Sequence, residues 1–306
     1  MHKLSTIVID YITMRRQLGY KLRNEVSVLN SFVAFMAEKN KVTIKTKLAL
    51  EFVARRSKSC TSRWPAAMFG MIRRFAIYLH AIDPKTEIPP AHLLPYNNSR
   101  RTPCILSEND IIRLLEAVSN SVGKHRFANT FYTLFGLIAV TGMRTCEALS
   151  LNDESVDLSE GIIEIRQTKF RKSRKIPLHI STKETLKKYV RNRNKRHPVR
   201  RAFFVSSRGG RLDRTVVQRI FRKMCVTANL STEGSLGPRI MDLRHTFAVR
   251  NLMRCYQEDL DVDQMIAILS TYLGHENPEH TYWYLTSTPE LLSLINLRAE
   301  KKYWRQ

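Results

Sequence analysis

The run Gly237-Pro238-Arg239-Ile240-Met241-Asp242-Leu243-Arg244-His245 decides how this chain is read. About one helix further on come Leu273-Gly274-His275, and then Tyr282-Trp283-Tyr284. Arg144 and Lys169 stand upstream. Together these side chains can transfer a phosphodiester without a metal. Such a transfer needs a nucleophile, charge neutralisation for a pentacoordinate phosphorane, a base for the nucleophile and an acid for the leaving alkoxide. Arginine can replace the metal, because its fixed charge and planar fork match two phosphate oxygens at once. Acidic residues are sparse and scattered and there is no His-x-x-x-His motif, so neither a metal nor a cofactor is expected.

Composition points to the substrate class. The chain has 306 residues, enough for two modest domains. Fifty-one Lys and Arg against 27 Asp and Glu leave a net charge of +24. Such an excess destabilises a compact chain by self-repulsion unless a polyanion relieves it. The basic residues run through the whole chain, so nucleic acid is the expected partner and a small-molecule substrate is not. No apolar run approaches the ~20 residues of a spanning helix, which argues against a membrane role. Cys60, Cys104, Cys146, Cys225 and Cys255 are odd in number, scattered and without a Cys-x-x-Cys pair, which fits reduced thiols. The start Met1-His2-Lys3-Leu4 has no secretory pattern, and the expected location is cytoplasmic.

The first hundred residues read as a small basic helical bundle. Leu4, Ile7, Val8, Tyr11 and Leu18 share a helical face that Gly19 ends. Val26, Leu29, Phe32, Val33 and Met36 make a second stripe, and Leu48 and Phe52 a shorter third. A fourth begins near the capping candidates Thr61 and Ser62 and carries Met68, Ile72, Phe75 and Leu79. Pro84, Pro89-Pro90, Pro95 and Pro103 interrupt the pattern over 83–104. The expected division is a helical domain over 1–98, a linker over 99–104 and a second domain over 105–306. That second domain opens with the capping-box pattern Ser107-Glu108-Asn109-Asp110. Helices are expected near 127–140, from Met143 to Leu151 with Arg144 in the first turn, near 183–192, 214–228, 242–254 and 262–270, and over 288–304. Gly161–Ile165 and Lys175–Leu178 read as short strands around the basic turn Lys169–Arg174. The fold class is mainly α (α+β): helical in the first half, mostly helical with a small antiparallel sheet in the second. The basic run Arg191–Arg201 reads as an exposed loop suited to phosphate contacts.

Four stretches carry a resemblance. They are Thr141-Gly142-Met143-Arg144-Thr145-Cys146-Glu147, Thr168-Lys169 through Leu178, Asp242-Leu243-Arg244-His245-Thr246-Phe247-Ala248, and Leu273-Gly274-His275. In order and spacing, over about 200 residues, they resemble the tyrosine recombinase (phage integrase and Xer) family. The first half also resembles that family's core-binding domain. The resemblance implies a two-domain clamp around duplex DNA, with a homo-oligomer forming on it and a tetrameric synapse. It further implies that Arg144 and Arg244 clamp the scissile phosphate, Lys169 protonates the departing 5′ oxygen, and His275 donates to a phosphate oxygen. Tyr284, nine residues after His275, would be the nucleophile, with Tyr282 as its rival. Arg171, Lys172, Arg174 and His245 are the expected DNA contacts, and Lys172 competes with Lys169 for the acid's place. Glu147 is expected to orient Arg144 or the hairpin.

Met241 departs from the pattern, which has histidine there. A thioether does no acid–base work near neutral pH, and losing one positioned acid or base typically costs about 10²–10⁴-fold. His245 follows Arg244 directly, and one helical step turns it about 100° away, which argues against direct replacement. Three readings stay open: a site-specific recombinase, a non-catalytic DNA-binding relative, and an activity like that of type IB topoisomerases.

Overall fold

Apolar residues at helical spacing set most of this chain, and the computed structural model resolves them into thirteen α-helices among the described residues. Those residues are 4–57, 63–95, 101–121, 128–166, 173–231, 236–286 and 288–303. The chain divides into two compact units, Met1–Arg101 and Thr102–Gln306.

The first unit holds α1 (Leu4–Gln17), α2 (Arg23–Glu38), α3 (Thr46–Ser57) and α4 (Arg63–His80). Leu29, Phe32, Met36, Met68, Ile72 and Phe75 fill its centre and are shielded from water. Leu18 does not join them. It lies past the end of α1 and is largely exposed, because the chain has already begun the turn that Gly19 makes at φ +90°. The caps expected at Thr61 and Ser62 lie outside the described residues.

The second unit begins with α5 (Glu108–Ser121), α6 (Ala128–Thr141) and α7 (Thr145–Ser150). The capping box forms as its residues require: Asp110 N–H donates to Ser107 Oγ at 3.1 Å, and Ser107 N–H donates to Asp110 Oδ2 at 2.8 Å. A three-stranded antiparallel sheet follows, β1 (Val156–Asp157), β2 (Ile162–Ile165) and β3 (Arg174–Pro177), in the order β1-β2-β3. Cross-strand partners Ile163 and Ile176 face the core, and the alternate pair Glu164 and Lys175 faces outward. The two-residue strand β1 was beyond a reading that relies on alternation. Then come α8 (Ile180–Asn194), α9 (Arg214–Thr227), α10 (Ile240–Gln257), α11 (Val262–Leu273), the short α12 (Glu279–Tyr282), a 3₁₀ turn over Trp283–Thr286, and α13 (Pro289–Tyr303).

Two cores organise this unit. Phe131, Leu134, Phe135, Ile163, Ile176 and Phe221 belong to the larger one. Val249, Leu252, Leu269, Leu273, Tyr284 and Leu291 belong to the smaller one, which joins α10, α11 and α13. The basic run 191–201 differs from the exposed loop expected of it. Its first residues finish α8, and Arg193 turns inward, donating to Asp153 Oδ1 at 2.7 Å and to the Phe203 carbonyl at 2.6 Å. Arg200 reaches the other Asp153 oxygen at 2.9 Å. A buried cation needs such partners, so part of this charge is structural.

Phe32 is fully buried and packs against Phe35 and Phe52. Phe32→Ala is expected to destabilise the first unit by about 3–5 kcal/mol, read as a lower denaturant midpoint with unchanged slope.

Candidate active site

The site begins at a turn that only glycine can make. After α6 ends at Thr141, Gly142 adopts φ +60°, and a Cβ there would lie 2.5 Å from Phe247 Cδ1. The chain reverses closely enough for Arg144 to become the residue that caps α7, one position before the first turn expected of it. Arg144 N–H donates to Glu147 Oε2 at 2.8 Å, and Arg144 Nη1 donates to Glu147 Oε1 at 2.9 Å. Its guanidinium also donates to the carbonyls of Leu273, at 3.4 Å, and Gly274, at 3.0 Å.

Arg244 approaches the same carbonyls from α10. It is 2% exposed. It donates from Nη1 to the Gly142 carbonyl at 2.9 Å and from Nη2 to the Leu273 carbonyl at 2.8 Å. The two side chains meet at the C-terminal end of α11, where carbonyls without helical partners and the helix dipole attract cations. Burial, and then the neighbouring Arg144, lower the Arg244 pKa to about 10, while Tyr284 acts in the opposite sense. The guanidinium stays charged near neutral pH.

Arg174 was expected to touch DNA, and here it braces the site. It shares the inward parity of Ile176 on β3. Its Nη1 and Nη2 donate to the two Glu147 oxygens at 3.0 and 2.8 Å. Glu147 thus holds Arg144 and Arg174 together, in keeping with the orienting role expected of it. Burial alone would raise its carboxyl pKa; Arg174 and then Arg144 outweigh burial and hold it below the ordinary value. Gly274, at φ +67°, lets the chain leave α11 beneath Arg174: a Cβ there would lie 2.7 Å from Arg174 Nη1.

His275 comes next. Arg244 can only donate, so His275 Nε2, 3.0 Å from Arg244 Nη2, accepts. His275 Nδ1 then carries the proton and donates to Thr281 Oγ1 at 2.7 Å. Burial, reinforced by Arg244, Arg144, His280 and Arg174, lowers the His275 pKa from 6.5 to about 3. Thr281, in α12, was not anticipated from sequence; its signal is its position six residues after His275 on the turn that delivers the tyrosines.

Tyr284 lies in the 3₁₀ turn and is 2% exposed, whereas Tyr282 is 47% exposed. The Tyr284 ring stacks beside His275, with centroids 6.2 Å apart. Its hydroxyl lies 3.2 Å from Nδ1 of His245. His245, one helical step from Arg244, thus reaches the Tyr284 hydroxyl. The relevant spacing is four residues from Met241, not one from Arg244. Four residues make roughly 400°, so the two positions share a face of α10 about one turn apart. Met241 itself is half-buried. Lys169, Arg171 and Lys172 lie outside the described residues. Among the described residues no group of three or more His, Cys, Asp or Glu could hold a metal ion, and no helix is long and apolar enough to cross a membrane.

Comparison with known proteins places these residues in context. The phage integrase family model matches residues 105–290. The chain is 39% identical over 304 residues to y4rB, named as an integrase/recombinase, of Sinorhizobium fredii, covering 97% of this chain and 96% of that protein. It is 27% identical over 270 residues to the tyrosine recombinase XerC of Thermodesulfovibrio yellowstonii, covering 86% and 83%. Among solved structures, it is similar in fold to a lambda integrase tetramer bound to a Holliday junction. The TM-score is 0.61 at 19% identity, over 92% of this chain and 77% of that one.

The buried, neutral His275 has a measurable consequence. Between pH 6.5 and about 3 the unfolded chain binds a proton at this residue that the folded protein does not. Its contribution to stability is thus present above the upper value and lost as pH falls through the window. Melting temperature is expected to drop from pH 7 to pH 5, and to drop less steeply in His275→Gln; equal slopes would contradict the assignment.

Proposed function

The chain belongs to the phage integrase family, that of the tyrosine recombinases, and we propose that it cuts and rejoins duplex DNA at specific sites through a 3′-phosphotyrosyl intermediate on Tyr284. The observation that carries this reading is the meeting of Arg144 and Arg244 on the Leu273 carbonyl, beside His275 and Tyr284.

The chemistry follows from that meeting. Two guanidiniums brought together on the backbone before substrate arrives would supply the charge that neutralises the phosphorane. A phosphate oxygen entering between Arg244 and His275 competes for the Arg244 donor now directed at His275 Nε2. Its negative charge also favours a protonated ring, and His275 can then donate to the phosphate. Tyr284 attacks phosphorus and the 5′ oxygen departs, taking a proton from Lys169 in its proposed role as acid. The phosphodiester energy is kept in the tyrosyl link, so a 5′ hydroxyl from another strand reverses the step without ATP.

Partners follow the same reasoning. The substrate is double-stranded DNA, which the charge of +24 favours. The lambda integrase neighbour is a tetramer on a junction, and we propose that this chain also works as a homo-oligomer on DNA. Its place of work is then wherever DNA is held, in keeping with the cytoplasmic location expected from sequence. A non-catalytic DNA-binding relative is the second reading, motivated by Met241.

The test uses duplexes selected on the immobilised protein from a randomised pool, then nicked so that the cleaved end escapes. The expected result is an adduct that survives detergent, is absent in Tyr284→Phe and persists in Tyr282→Phe. Arg244→Ala should slow its formation by at least about 10²-fold. Binding without an adduct on any selected duplex would leave the non-catalytic reading standing.

A further inference from the structure

Met241 leaves the proposed reaction without a base at the expected position, and the geometry around Tyr284 supplies one elsewhere. We propose that His245 is the catalytic base that takes the proton from the Tyr284 hydroxyl. This rests on the reading of Tyr284 as nucleophile.

Contact comes first. His245 Nδ1 lies 3.2 Å from the Tyr284 hydroxyl, within the reach that direct proton transfer requires. The ring centroids are 5.6 Å apart, and Trp283 presents itself edge-on to the same imidazole at 5.4 Å. His245 sits inside α10, an eighteen-residue helix that also carries Arg244. The base and one phosphate clamp thus ride on one rigid element. Acceptance at Nδ1 requires the neutral tautomer with its proton on Nε2.

The rival bases are already committed. Both ring nitrogens of His275 are engaged, by Arg244 and by Thr281, and several cations surround that ring. The Glu147 carboxylate is shared between Arg144 and Arg174. His245 touches the reacting oxygen itself and stands on the same helical face as position 241, about one turn further on. The function expected at 241 has moved along the helix without changing faces.

The step balances. The Tyr284 hydroxyl proton passes to His245 Nδ1 as the tyrosyl oxygen forms its bond to phosphorus. The bond from phosphorus to the 5′ oxygen breaks, and that oxygen takes the proton of the acid assigned to Lys169. On reversal, the His245 imidazolium returns its proton to the departing tyrosyl oxygen.

The experiment uses the selected nicked duplex described above, at saturating concentration, with DNA affinity measured separately. In His245→Asn an amide reaches toward the place of Nδ1 but cannot take up a proton. Adduct formation at saturating duplex should slow by about 10²–10⁴-fold. The deficit should persist on a duplex with a 5′-bridging sulfur, whose thiolate leaves without an acid. Adding Met241→His to His245→Asn should recover part of the rate. His245→Gln serves as the second variant should the first fold poorly. Adduct formation within a few-fold of the parent, or a deficit that disappears on the sulfur-bridged duplex, overturns the assignment. A parent protein that forms no adduct overturns the reading of Tyr284 as well, so the two failures are told apart.

Discussion

Two positive guanidiniums held against the carbonyl end of one helix are the constraint on which this structure depends. Arg144 and Arg244 repel each other, and Arg244 carries its charge almost wholly buried beside Arg144. The Leu273 carbonyl accepts from both, Gly274 adds a second acceptor for Arg144, and Gly142 adds one for Arg244. The helix C-terminus concentrates negative partial charge there. The glycines at 142 and 274 follow from this arrangement, because the backbone must pass where side chains would collide.

Glu147 extends the constraint to the sheet. Its two oxygens join Arg144, which caps α7, to Arg174, the first residue of β3. Removing one member of such a buried cluster leaves the others uncompensated, which is costlier than never having built it. The start of β3 is therefore tied to Arg144 by a hydrogen-bonded carboxylate.

Much of this was legible in the sequence. The helices, the two longer strands and the capping box at Ser107 follow from periodicity and local chemistry, and motif spacing already draws out Arg144 and Tyr284 as candidates. What escaped depends on parity and on tertiary partners. Arg174 sits in a run of basic residues that looks solvated, yet its place two residues from Ile176 in a strand already turns it inward. Arg193 and Arg200 look like part of an exposed charged stretch, and only the position of Asp153, some forty residues earlier, reveals them as structural. Thr281 matters solely because α12 folds back beneath His275. His245 escaped because it was compared with Arg244, its chain neighbour, when the informative comparison is with Met241, one helical turn back.

The two histidines flank Tyr284 on different sides of the site, one stacked beside its ring and one at its hydroxyl. His275 lies against Arg244, among several cations, where a second positive charge is resisted until an anion arrives. An imidazole in that setting suits donation to phosphate. His245 lies on the other partner of the phenol, between Trp283 and Tyr284 in ring contact. The Tyr284 side chain is buried in an apolar cluster with Val249, Leu252 and Leu273, and ionising a phenol there without a partner would cost several kcal/mol. A hydroxyl in such a place needs its proton acceptor in contact, since water cannot serve. On the proposed reading, the burial of Tyr284 and its contact with His245 answer one requirement, and the imidazole one turn from Met241 on the same helical face would meet it.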